Sequence, residues 1–361
     1  MKAASVVVND VCKIKPMERV LIITNPQIDV TEISRALYNV SVEVGATPSL
    51  IFQPEKTLLD FANNSVIAAL KSEPDVIFSI SANKLGKDRG ALANPYQIGD
   101  KKFTSTFDYL LDGKKCSRAI WTPGVTSEIF CRSVMIDYAE LSQRCKILSS
   151  ILNDAVSVKV TSPAGTDLTL SVKGRKAYCD DGNFSERGLG GNIPSGEVYI
   201  SPALESCQGK IVFDGSIALG TGTVLIKTPI EVQVNNGYVG KISGGEEADI
   251  LYHTIDAAEK RAFEFELDEK LAEGEGEIYM RNARHIGELG IGLNPAAIIG
   301  GNMLEDEKAF KTCHFAIGSN YDNDANALIH LDGVVKNPTI TVFFQDGTSR
   351  IIEDNGELTI F

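Results

Sequence analysis

The sequence predicts an α/β N-terminal domain with a mostly parallel sheet, followed by an α+β C-terminal domain. Three observations carry this. Short apolar runs alternate with amphipathic stretches over roughly the first 150 residues, which is the pattern of strand–helix–strand units. Near residue 154 the texture changes to short strands joined by turn-rich links. A length of 361 residues suits two domains of about 150 each or somewhat more. The boundary is drawn between 1–154 and 155–361.

The elements follow in order. Arg19 to Thr24 (RVLIIT) reads as a buried strand, and Val30 to Val44 as an amphipathic helix stopped by Gly45. Pro48 to Phe52 is the next strand, Leu58 to Lys71 a helix, and Asp75 to Ile80 (DVIFSI) a strand again. Ala119 to Trp121 extends the series, with helical signals at Thr126 to Arg132 and Asp137 to Asn153. Beyond 154, Val156 to Thr161 and Leu168 to Val172 are strands joined by Ser162-Pro163-Ala164-Gly165-Thr166-Asp167. Asn235-Asn236-Gly237 is a hairpin turn between Pro229 to Val234 and Tyr238 to Ile242. A charged helix is expected over Glu246 to Glu266.

Composition narrows the function classes. A hydrophobic fraction of 43% and a charged fraction of 23% are those of a folded, water-compatible protein. No run approaches the ~18 apolar residues of a membrane span, and the apolar stretch after Lys2 is too short for a signal peptide. The expectation is a cytoplasmic protein without a membrane partner. A net charge of −13 and no Lys/Arg cluster exclude nucleic acid as the default ligand. The turn after the first strand, Asn25-Pro26-Gln27, carries no dinucleotide or P-loop glycine pattern. Seven scattered cysteines without a C-x-x-C pair argue against structural zinc and against a disulfide framework.

The chemistry-bearing residues concentrate in the second half. The chain has four histidines, of which His285, His314 and His330 fall close together in an acidic region. In Ile329-His330-Leu331-Asp332-Gly333 the imidazole and the carboxylate are two apart, so on a strand they share one face. In Cys313-His314-Phe315-Ala316-Ile317-Gly318 a histidine leads an apolar strand, and Tyr321 follows it. Glycines bracket Glu288 in Ile286-Gly287-Glu288-Leu289-Gly290-Ile291-Gly292, which suggests close backbone approach around that acid. A Pro-Gly turn, Asn192-Ile193-Pro194-Ser195-Gly196, delivers Glu197 to the start of a strand. Neither H-E-x-x-H nor its inverse is present. Taken singly, each segment is also compatible with an ordinary core or loop role.

Together, the ordered motifs N-x-P-x-G-E-V, E-L-G-I-G-x-N-P, C-H-x-A-I-G and H-x-D, across roughly residues 174 to 343, resemble the aminopeptidase T and aminopeptidase S family of metallo-aminopeptidases. The resemblance implies metal ligands at Glu197, Glu288, His314, His330 and Asp332, and a catalytic tyrosine at Tyr321; on chemical grounds Glu288 or Glu197 could also serve as a proton shuttle, a role the sequence does not separate from ligation. It implies two divalent ions, zinc or cobalt first and manganese or magnesium next, and a homodimer that removes N-terminal residues from small peptides. Three carboxylates and two imidazoles suit such cations, and a water shared between them would be acidified for attack on a carbonyl. Asp322, Asp324 and the acids among Glu305 to Glu307 are candidates for holding a substrate ammonium. The connection of 16 residues from His314 to His330 is shorter than in other members of that family.

Two alternatives stand beside the hydrolase. The same superfamily contains a mononuclear iron enzyme that opens dihydroxypyridine rings. For it the ligands would be His330, Asp332 and one further histidine, with His285 suitably placed. A protein that keeps the fold and has lost its chemistry is the third reading.

Overall fold

A computed structural model describes residues 1–57, 60–268 and 270–360. The chain folds as mixed α/β, with one parallel sheet and several antiparallel ones. It divides into two compact units that are not contiguous in sequence. One comprises Met1–Ser142 and Asp180–Ser195, the other Gln143–Cys179 and Gly196–Phe361.

In the first unit five strands are hydrogen-bonded in the order Gly190–Asn192, Arg118–Trp121, Val76–Ile80, Arg19–Thr24, Thr47–Phe52, all parallel. The central Val76–Ile80 strand is buried throughout, and Arg19–Thr24 is buried after its first residue. Unbroken apolar runs of this kind belong to strands covered on both faces. Leu21, Ile23 and Ile77 pack with Val66, Leu70, Phe107, Leu110 and Leu111 in one such layer. The Ile28–Glu43 helix ends as expected at Gly45, which takes φ +81°. The helix expected over Leu58 to Lys71 is shorter than its pattern. Leu58 and Leu59 lie outside the described residues, and the helix occupies Asn64–Leu70. The Ala62 amide instead donates to the Lys87 carbonyl, and Asp60 to Asn63 are not helical.

The second unit holds two antiparallel sheets. An eight-stranded sheet runs in the order Tyr238–Ser243, Ile230–Asn235, Gln208–Phe213, Asp167–Ser171, Ala155–Thr161, Thr339–Phe344, Ser349–Asp354, Glu357–Leu358. Its hairpin at Asn236 and Gly237 has φ +49° and +82°, as a tight turn matched to strand twist requires. A seven-stranded sheet runs Gly222–Leu225, Ser216–Leu219, His330–Lys336, Thr312–Gly318, Ile286–Gly292, Glu197–Ile200, Tyr178–Asp180. The charged helix Glu246–Leu267 packs against the Tyr238–Ser243 hairpin strand. No described helix is long and apolar enough to cross a membrane.

Candidate metal centre

Strand register brings the candidate donors together. Directly opposed residues on antiparallel strands face the same side of a sheet. Glu288 pairs with Ala316, which pairs in turn with Asp332, so the two acids flank an alanine in one row. Gly290 opposes His314, Gly318 opposes His330, and Gly292 opposes Glu197. Every donor therefore has a residue with little or no side chain beside it. The result is a hollow in a strand layer that is buried apart from His330, Lys336 and Tyr199. The Gly290 position shows how tight it is: a Cβ there would lie 2.1 Å from the His314 ring.

The distances are those of a cation cage. His330 Nε2 lies 3.3 Å from Glu288 Oε2 and 3.2 Å from Asp332 Oδ1. His314 Nε2 lies 3.5 Å from both Glu288 Oε1 and Glu197 Oε2. Donors around an ion with bonds of ~2.1 Å stand about 3 to 3.5 Å apart. Two overlapping groups result, Glu197–Glu288–His314 and Glu288–His330–Asp332, each with its donor atoms within 4.8 Å of one another. Glu288 is common to both. His330 Nδ1 is hydrogen-bonded to the Ser319 carbonyl at 2.9 Å, which fixes the ring and turns Nε2 toward the carboxylates.

Electrostatics favour a bound cation. Burial would lower the His314 pKa, yet Glu288 and Glu197 outweigh it and lift the imidazole to about 9. His330 is likewise raised well above its usual value, by Asp332 and Glu288 acting against burial. Burial pushes Asp332 and Glu288 up, but the two imidazoles prevail and hold both acids low, Asp332 at about 2. Burial dominates at Glu197, raising it to about 8 despite Lys308. Glu197 Oε2 and His314 Nδ1 have no hydrogen-bond partner although both are buried. The orphaned Glu197 oxygen, and three carboxylates facing two imidazole nitrogens that shed their protons on ligation, are what a divalent ion satisfies. The residues present therefore fit a metal centre.

Tyr321 stands at the mouth, with its ring centroid 5.3 Å from that of His330. The Tyr199 ring is 5.0 Å from Tyr321, and Tyr178 stacks on Tyr199 at 5.5 Å and 21°. Sequence reading missed Tyr199 and Tyr178, although the period of two that places Tyr199 on the same strand face as Glu197 was a usable signal. It also missed Lys308, which no local pattern announces.

Several expectations are corrected. His285 joins neither donor group among the described residues. It is fully buried, its ring edge lies against Tyr238, and burial holds its pKa down at about 4. The third donor beside His330 and Asp332 is Glu288. Asp322 and Asp324 are engaged by Arg175 at 3.3 and 2.7 Å, Asp306 accepts the Gly300 and Gly301 amides, and Glu307 pairs with Lys308.

Fold and donors define a protein with a buried carboxylate–imidazole cluster able to hold a metal ion. The chain belongs to the family described as NicX, 2,5-dihydroxypyridine 5,6-dioxygenase, whose sequence profile matches residues 127–342, more than half of the chain and all five donors. No curated protein matches the sequence. Among solved structures, the 2,5-dihydroxypyridine dioxygenase from Pseudomonas putida KT2440 is 16% identical, with a TM-score of 0.70 over 99% of this chain and 96% of that one. Wild-type AmpT from Thermus thermophilus is 15% identical, with a TM-score of 0.66 over 99% and 98%.

The family overturns the hydrolase expectation: the findings point to an oxidoreductase of the dioxygenase type, in place of a metallo-aminopeptidase acting on small peptides. The physical reason is that both solved structures share this fold. Carboxylates and imidazoles in a given order record a cation site on that fold, while the surroundings of the ion decide the reaction.

Proposed function

We propose that the protein is an iron-dependent dioxygenase that opens a hydroxylated pyridine ring between carbons 5 and 6. The observation that carries this reading is the tyrosine wall beside the donor cluster, in a chain of the dihydroxypyridine dioxygenase family. Aromatic faces offset at 5 to 6 Å favour a flat ring over an extended chain.

One ferrous ion would be held by Glu288, His330 and Asp332, a mixed imidazole and carboxylate set suited to a hard or borderline dication. When bound, such an ion would supply the one-electron chemistry that lets dioxygen react with a hydroxylated ring. Both oxygen atoms end in the product, the C5–C6 bond breaks, the ring is oxidised and dioxygen is the oxidant. The residues of the chain do the rest. Ser319 fixes the ring of His330, so the donor atom is aimed before anything binds. Tyr199 and Tyr321 hold the substrate plane. Tyr321 keeps about half its surface exposed at 52%, yet burial against the site, followed by the charges of Glu288 and Asp332, pushes its phenol well above the usual value. It therefore stays a hydrogen-bond donor to a developing oxyanion on the substrate. The homodimer that the sequence resemblance implies is kept as part of this proposal.

The test is direct. Metal-free protein loaded with Fe(II) without oxygen is given 2,5-dihydroxypyridine and then air. Loss of the ring absorbance with one dioxygen consumed per ring is expected. A folded, iron-loaded protein that consumes no oxygen with this substrate or with other ortho- or para-dihydroxylated heteroaromatics sinks the reading.

A further inference from the structure

Resting on that one-ion reading, we infer that Lys308 acts as a built-in second cation: its ammonium occupies the Glu197 side of the donor cluster and keeps the centre from taking a second metal ion.

The two donor groups share Glu288 but differ in what else reaches them. In the Glu288–His330–Asp332 group the described ion pairs are those of His330 with the two acids, and Lys308 acts on Asp332 as a charge without a described ion pair to it. Glu197 differs. Lys308 Nζ donates to Glu197 Oε1 at 2.5 Å and to Glu307 Oε1 at 2.8 Å, with the lysine side chain only 1% exposed. A lysine is rarely buried to this degree unless it is paired, so the position is built rather than incidental. The segment that carries it is anchored. The Lys308 amide donates to the Glu305 carbonyl, and its carbonyl accepts the Asn294 amide.

Charge balance explains what the ammonium does. With a metal bound, when both imidazoles are neutral and the acids ionised, Glu197, Glu288, Asp332 and Glu307 supply four carboxylates within this constellation. Against them, Lys308 and one dication leave a single negative charge. A second dication would reverse the sign in a buried site and would stand beside an ammonium that already engages Glu197. Without Lys308, one dication leaves two negative charges, and both oxygens of Glu197 become available to a metal together with His314. The same five donors can thus serve one ion or two, and a single lysine selects between them. Like charges in a low-dielectric site repel strongly enough to decide such occupancy.

Cobalt(II) titration of the metal-free protein, followed by its visible absorption and by metal analysis after gel filtration, tests this without any turnover. The wild-type chain is expected to saturate at one equivalent, K308M at two, and K308R, which keeps the charge, at one. K308M saturating at one equivalent overturns the role of Lys308 and leaves the one-ion reading standing. A wild-type chain that saturates at two overturns the one-ion reading itself, and the lysine role with it. Should K308M fail to fold, K308Q retains a donor toward Glu197 and carries the same expectation of two. Anomalous scattering at the cobalt edge from wild-type crystals in excess cobalt gives an answer independent of any variant. Density confined to Glu288, His330 and Asp332 supports the inference, and density between Glu197 and His314 overturns it.

Discussion

The parallel sheet of the first unit and the donor strands of the second are both buried, yet they are buried for different ends. Val76–Ile80 reads VIFSI, nearly all of it large and apolar. Ile286–Gly292 reads IGELGIG and is buried at every residue too, but one acid and three glycines take places that apolar side chains would otherwise fill. The first strand contributes packing. The second gives up packing on one face to make room for charged groups, and such groups in a dry layer cost free energy unless an ion or a partner compensates them. The contrast teaches where to look for chemistry: in buried strands whose apolar pattern is interrupted by small residues next to titratable ones.

Breaking the donor side should have the largest effect. D332A removes a carboxylate that no neighbour replaces, and under the proposed function activity should fall by about a thousandfold or more. Iron per folded chain, measured by metal analysis, should fall with it. Activity within tenfold of wild type would mean that Asp332 is not a ligand.

Breaking the packing side should do the reverse. Phe78 is fully buried in the parallel sheet, and F78A should cost about 3 to 5 kcal/mol of stability in denaturant unfolding. The iron content of the protein that remains folded should not change. A parallel loss of iron would show that the two regions are not separable in this sense.

His285 sharpens the comparison, because it is a histidine among the donors that behaves like core. Burial lowers its pKa from 6.5 to about 4 in the fold. Between these values the unfolded chain binds a proton that the folded chain refuses. Its contribution to stability is therefore complete above pH 6.5, is lost as pH falls toward 4, and amounts to about 3 kcal/mol. Unfolding measured against pH should show this decline in wild type and lack it in H285F. Equal slopes in the two proteins would refute the assignment.

The smallest effects separate two glycines. G290A places a Cβ 2.1 Å from the His314 ring and should weaken metal binding by about tenfold, read by chelator competition. In G240A the new Cβ would stand 3.6 Å from the Gln233 carbonyl oxygen, an ordinary contact, and the change should be neutral or stabilising by about 0.5 kcal/mol in thermal unfolding. Similar behaviour of the two variants would remove the argument that the hollow is sterically defined.

By itself the sequence determined the elements. The runs RVLIIT and DVIFSI, the stop at Gly45 and the Asn235-Asn236-Gly237 turn all lie where the structure puts strands, a helix end and a hairpin. These are local signals, set by side-chain period and backbone sterics within a few residues. It also named a set of acids and histidines that the sheet gathers into one hollow. Only the tertiary structure decided which of them meet. Glu197 and His330 are brought together by pairings across separate strands, His285 is turned away toward Tyr238, and Lys308 arrives at Glu197 from 111 positions along the chain. Strand register and the path of a loop are long-range quantities, so no window of sequence contains them. The reaction was less legible still, since one fold serves more than one chemistry, and the aromatic wall and the buried ammonium around the donors come from those same distant pairings.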